Sequence, residues 1–115
     1  MLELKEFLRD IKNPISIIGL GYVGLPLAVE FSRVRSVVGY DIQSSRIAEL
    51  KNSIDSTLEV SPEDLSNKNL QYTNNINDIL SSKIFIVTVP TPIDCDNQPN
   101  LDPLIKATKQ IGSIL

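Results

Sequence analysis

The run Gly19-Leu20-Gly21-Tyr22-Val23-Gly24 sets three glycines in the order G-x-G-x-x-G, a spacing suited to holding phosphate with backbone alone. Gly19 permits a tight turn where a Cβ would clash, and Gly21 lets the backbone approach a pyrophosphate. Gly24 lets the following helix pack close to a sheet. The N–H groups and positive dipole end at the start of that helix can bind an anion without lysine. Glycine-rich hexamers also occur in plain turns, so context decides. The apolar run Ile15–Ile18 precedes the glycines, a helical pattern follows, and a second strand ends on Asp41, 22 residues after Gly19. A carboxylate there accepts hydrogen bonds from the adenosine ribose hydroxyls and repels a 2′-phosphate, which favours NAD over NADP. Ile42 follows directly, so no arginine stands at once beside Asp41. Arg46, five residues on, either flanks the adenosine ribose or is a solvated helix residue.

A second segment sits where ligands of open α/β sheets bind, beyond the carboxyl end of a strand. Pro90-Thr91-Pro92-Ile93-Asp94 follows the apolar run at residues 83–89. Its prolines stiffen a loop on the nicotinamide side, and Thr91 between them can offer a hydroxyl. From the residues alone, a stiff turn explains the segment equally well.

Positioning these residues falls to short apolar strands alternating with longer helical segments, the pattern of βαβ units around a parallel sheet. The expected strands are Ile15–Ile18, residues 36–40, Leu70–Thr73 and residues 83–89. Helices are expected over residues 23–32, from a cap at Ser44 or Ser45 through Ile47, Leu50 and Ile54, over Pro62–Leu65, over residues 76–81, and from Asp102-Pro103 onward. The fold class is therefore α/β: a Rossmann-type doubly wound parallel sheet in three αβα layers. Residues 1–14 are read as an N-terminal helical extension, amphipathic over residues 2–10, and residues 15–115 as a partial dinucleotide-binding domain. Four strands are counted where such a fold calls for one or two more, so a longer parent chain is expected.

Composition excludes other chemistry. The 115 residues include no histidine, so they hold no Ser-His-Asp triad, His-ligated zinc or imidazole base, and no metal site is expected. The single cysteine, Cys95, excludes an internal disulfide or a CxxC pair and suits a reducing cytoplasm. A net charge of −3 gives no general attraction for nucleic acid or anionic lipid, and neither is expected as a partner. No apolar stretch approaches the roughly 20 residues that span a bilayer.

Three runs carry a closer likeness. Gly19-Leu20-Gly21-Tyr22-Val23-Gly24-Leu25-Pro26-Leu27-Ala28, Gly39-Tyr40-Asp41-Ile42 and Val89-Pro90-Thr91-Pro92-Ile93-Asp94 resemble the UDP-glucose/GDP-mannose dehydrogenase family, over nearly the whole chain from Ile15. The run Pro90 to Asp94 and the segment Pro99-Asn100-Leu101-Asp102 are most similar to the branch oxidising UDP-N-acetylhexosamines for capsule or O-antigen polysaccharide. The resemblance implies NAD as cofactor and a UDP-sugar as substrate of the full-length enzyme, with two NAD reduced as the C6 alcohol becomes a uronate. It also implies a homodimer built on a central helix.

The same resemblance puts NAD contacts on the backbone of Tyr22 and Val23 at the pyrophosphate and on Asp41 at the ribose. Arg46 falls on the adenosine side and Thr91 toward the nicotinamide ribose, beside the glycines Gly19, Gly21 and Gly24. It brings the acidic loop around Glu59 toward the substrate. The family's catalytic cysteine, lysine and aspartate would follow residue 115, so these residues by themselves are expected to be inactive. Cys95 stands in no matching motif. Asn100 occurs where Asp is usual and Ser53 where Gly is usual, both peripheral to the cofactor. Two other readings remain: a free-standing NAD-sensing regulatory module, and an unrelated dehydrogenase sharing only the fold. The first leaves Pro90 to Asp94 unexplained, and the tyrosine in the glycine loop speaks against the second.

Overall fold

The computed structural model describes residues 13–115, and the helix expected over residues 2–10 lies outside them. One parallel sheet runs in the order β3-β2-β1-β4, made of β1 (Ile15–Ile18), β2 (Val37–Tyr40), β3 (Leu70–Thr73) and β4 (Ile84–Val87). Its register is unbroken: Ile18 lies beside Tyr40 and Val87, and Tyr40 beside Thr73. The chain travels outward from β1 to β3, then crosses back to place β4 on the other side of β1. The strand order reverses there, and such a switch point opens a crevice at the carboxyl ends of the strands.

Alternation of side chains sorts the two faces of the sheet. Ile15, Ile17, Val37, Leu70 and Tyr72 meet Leu25, Ala28 and Val29 of α1 (Gly24–Ser32), Ile47 and Leu50 of α2 (Ser44–Lys51), and Leu65 of the single turn α3 (Pro62–Leu65). Ile18, Val38 and Tyr40 face the opposite way. They pack on Ile79 of a 3-10 turn (Ile76–Ile79) and on Ala107 and Ile111 of α4 (Asp102–Ile114). The result is the three-layer αβα Rossmann-type arrangement. Ile17, Leu20, Leu25 and Leu50 are essentially inaccessible; burying each such side chain stabilises by roughly 1.5–3 kcal/mol.

Several elements end sooner than their apolar patterns suggest. Helix α2 stops at Lys51 because the chain folds back: Ile54 N–H donates to the Glu49 carbonyl at 2.9 Å, with Ser53 at φ 59°. Ile54, expected in the helix, is therefore 56% exposed. Neither Ser44 nor Ser45 caps α2. The residue before it is Gln43, whose side chain makes no capping bond; its own N–H is held at 3.0 Å by the Asp41 carboxylate. The helix expected over residues 76–81 is one 3-10 turn. The run at 83–89 pairs with β1 only over Ile84–Val87. Beyond it Ile93 forms an antiparallel bridge to Pro99, and the Asp94 carboxylate closes the turn by accepting the N–H groups of Asp96 and Gln98. Among the described residues no helix is long and apolar enough to cross a membrane.

Candidate dinucleotide-binding site

Gly19 leaves β1 at φ 99°, in the region that side chains disfavour, and a Cβ on it would stand 3.0 Å from the Thr88 backbone. That crowding comes from β4. Thr88 N–H donates to the Ile18 carbonyl at 2.8 Å, and its hydroxyl donates to the Gly19 carbonyl at 2.7 Å. Gly24, the first residue of α1, packs on the same carbonyl, where any Cβ would overlap the Gly19 oxygen and the Thr88 hydroxyl. Gly21 differs: among the described residues nothing stands within 4 Å of where its Cβ would be, and the residue lines an open cleft. Two of the glycines close the turn, and the third leaves room above it.

The cleft measures about 700 Å³ and lies over the carboxyl ends of β1 and β2. Ile18 to Tyr22 form its floor. Tyr40, Asp41, Arg46 and the loop residues Ser56 and Thr57 form one wall, and Pro90, Pro103 and Lys106 form the other. Asp41 Oδ2 accepts the Leu20 N–H at 2.9 Å, and Oδ1 accepts that of Gln43 at 3.0 Å. Each carboxylate oxygen has a second lone pair, so a partly exposed Asp41 retains acceptor capacity for a ribose diol.

Arg46 is not a solvated helix residue, since only 9% of its side chain is exposed. Its Nε donates to the Leu20 carbonyl at 2.7 Å, and Nη1 reaches Asp55 Oδ1 at 3.0 Å and also the Glu49 carboxylate. Nη2 is buried with no hydrogen-bond partner among the described residues. Burial disfavours the charged guanidinium, but the bonds to Glu49 and Asp55 outweigh it and raise the Arg46 pKa. The Asp55 side chain is 1% exposed and accepts from the Thr57 N–H and hydroxyl and from the N–H groups of Glu59 and Val60. Burial pushes its pKa up, yet the donors from Thr57, Arg46 and the backbone prevail and hold it at about 2. Arg46 and then the Ser56 hydroxyl lower the Glu49 pKa. The loop of residues 55–60 is thus wrapped round one carboxylate and fastened through Arg46 to the glycine turn.

Of the residues singled out in the sequence, Gly19, Gly21, Tyr22, Asp41 and Arg46 share this cleft. Gly24 lies beneath its floor. Val23 is 68% exposed just ahead of α1 and outside the lining. Thr91 and Glu59 are exposed and also outside it, with Val89 and Pro90 reaching the cleft from the loop that carries Thr91. Asn100, where Asp is usual, still offers an acceptor, its Oδ1 taking the Asp102 N–H at 3.0 Å. Ser53 occupies the left-handed conformation that its usual glycine adopts without strain.

Sequence reasoning missed Thr88, Asp55 and the wall built by α4. Thr88 showed only as one polar residue in an apolar run. Asp55-Ser56-Thr57 has the composition of a turn whose side chains bond back to the backbone. Nothing in the sequence marked Lys106. Among the described residues no group of His, Cys, Asp and Glu is placed to hold a metal ion.

A glycine turn, an acid ending β2 and the start of α1, gathered at a switch point, define a dinucleotide-binding Rossmann domain. The chain belongs to the UDP-glucose/GDP-mannose dehydrogenase family, whose NAD binding domain matches residues 13–115. It is 53% identical over 109 residues to UDP-N-acetyl-D-glucosamine 6-dehydrogenase of Pseudomonas aeruginosa, covering 94% of this chain and 25% of that protein. To Protein CapL of Staphylococcus aureus it is 48% identical over 101 residues, covering 88% of this chain and 24% of the relative. Among solved structures, a UDP-D-ManNAc dehydrogenase from Pyrococcus horikoshii matches with a TM-score of 0.80 at 33% identity, over 89% of this chain and 26% of that one. The chain spans about a quarter of the length of the curated relatives it matches. The cofactor of this domain is NAD, and the residues present suit it: an open backbone approach at Gly21 and a carboxylate with spare acceptor capacity at Asp41.

Proposed function

We propose that the chain is the cofactor-holding part of a nucleotide-sugar 6-dehydrogenase that acts on a UDP-N-acetylhexosamine. The observation that carries this reading is the meeting of Gly19 to Tyr22 with Asp41 in one cleft, in a chain 53% identical to a UDP-N-acetyl-D-glucosamine 6-dehydrogenase. The backbone of Gly21, Tyr22 and Val23 and the start of α1 take the pyrophosphate, with Gly19 and Gly24 shaping the turn. Asp41 receives the adenosine ribose hydroxyls, Arg46 borders the adenosine side, and Thr91 approaches the nicotinamide ribose from its loop.

Bound NAD supplies a hydride acceptor. Conversion of a C6 alcohol to a carboxylate removes two hydrides, so two NAD are consumed per uronate, with one water taken up and three protons released. In this reading the residues of the chain bind and orient the cofactor, and the groups that handle the sugar belong to a longer protein. Residues 15–115 are then the cofactor domain, residues 1–14 an extension, and the whole a cytoplasmic homodimer. The test is NADH absorbance with UDP-N-acetylglucosamine. The longer protein yields two NADH per uronate and the 115-residue chain yields none. Turnover by the chain alone, or one NADH per sugar, overturns the reading.

A further inference from the structure

We infer that Glu49 and Asp55 are specificity residues: by occupying and covering Arg46 they deny a 2′-phosphate the cation next to Asp41, so discrimination against NADP rests on three carboxylates. The inference builds on the NAD reading above and adds residues to it.

Asp41 and Arg46 grip the same residue from its two ends, Asp41 Oδ2 at the Leu20 N–H and Arg46 Nε at the Leu20 carbonyl. Both line the cleft. An arginine close to the acid-ending strand is the group that accommodates a 2′-phosphate in NADP sites, and this chain has one in reach. Its donors are nevertheless taken or buried. Phosphate recognition by arginine uses a planar fork of N–H groups. Here Nε is committed to Leu20, Nη1 to Glu49 and Asp55, and Nη2 is buried.

The cover is built from the loop of residues 55–60. The Ser56 hydroxyl donates to Glu49 Oε1 at 2.9 Å, tying the loop to α2 beside the guanidinium. Ser56 and Thr57 then line the cleft, while the Arg46 side chain is left 9% exposed. A 2′-phosphate would carry nearly two negative charges toward Asp41 and meet a cation already balanced by two buried or half-buried acids.

The test is a calorimetric titration of the 115-residue chain with NAD and with NADP, for the parent and for Glu49→Gln. Asp55 anchors its loop, so Asp55→Asn changes the loop as well as the charge; Glu49 lies at the edge of the cluster and carries the experiment. With Gln at position 49, the ratio of the NADP to the NAD dissociation constant falls about three- to fivefold. The gain runs through Arg46, so in an Arg46→Met background the same change moves the ratio by less than about twofold. If Arg46→Met does not fold, a structure of Glu49→Gln with NADP decides, by showing the guanidinium on the 2′-phosphate or away from it. An unchanged ratio, a gain that survives without Arg46, or a guanidinium turned away overturns the inference while NAD binding stands. A folded parent chain that binds no NAD overturns the NAD reading and this inference with it.

Discussion

The Asp41 carboxylate and the Leu20 N–H meet at 2.9 Å across 21 residues of chain, so the side chain proposed to receive the adenosine ribose also fixes the glycine turn. The same carboxylate also holds the Gln43 N–H just ahead of α2. Hydrogen bonds to an ionised group contribute about 1.5–3 kcal/mol when desolvated, and less where water reaches them. Asp41→Asn is therefore expected to lower stability by about 1–2 kcal/mol in urea unfolding, besides weakening NAD. A variant as stable as the parent would show that the carboxylate serves the ligand alone.

The second and third glycines of the motif separate structure from binding. Gly24→Ala places a methyl against the Gly19 carbonyl and the Thr88 hydroxyl, backbone and short side chain that cannot swing aside. A loss of about 3 kcal/mol or more, or failure to fold, is expected. Gly21→Ala meets no atom of the described residues within 4 Å. Its stability stays within about 1 kcal/mol of the parent while NAD affinity falls about tenfold, because the methyl enters the space where the pyrophosphate approaches. Chemical denaturation together with NAD titration of both variants checks the contrast, and equal destabilisation by the two would refute it.

What the sequence disclosed follows from how far apart the partners lie. The strand Ile15–Ile18, the turn at Gly19 and the end of β2 at Tyr40 were legible because each is dictated by neighbours a few residues away. The role of Arg46 was not, since its partners Leu20 and Asp55 are brought to it by the crossover from β1 to β2 and by the fold-back after α2. Thr88 meets Gly19 only because β4 lies beside β1, a pairing across 69 residues that periodicity cannot express. The expected serine cap of α2 did not form, because the helix already begins at Ser44 and the cap position falls to Gln43, whose side chain makes no capping bond.

Asp55 gives the chain an acid-sensitive element. Its carboxyl is held at about 2 in the fold against an ordinary 3.8. A carboxylate depressed by folding contributes its full stabilisation above the unfolded value and loses it as pH falls toward the folded one. The contribution is on the order of 2 kcal/mol at neutral pH and disappears between about pH 5 and pH 2. Urea unfolding of parent and Asp55→Asn should therefore differ most near neutrality and converge on acidification. A gap that does not change with pH would contradict the ion-pair account of this loop.

The central claim is that the cleft between the glycine turn, Asp41 and the start of α4 holds NAD. Isothermal titration of the 115-residue chain with NAD, beside circular dichroism to establish that it is folded, tests this most directly. One NAD per chain, with NADP bound much more weakly, is the predicted result. A folded chain that takes up no NAD would contradict it.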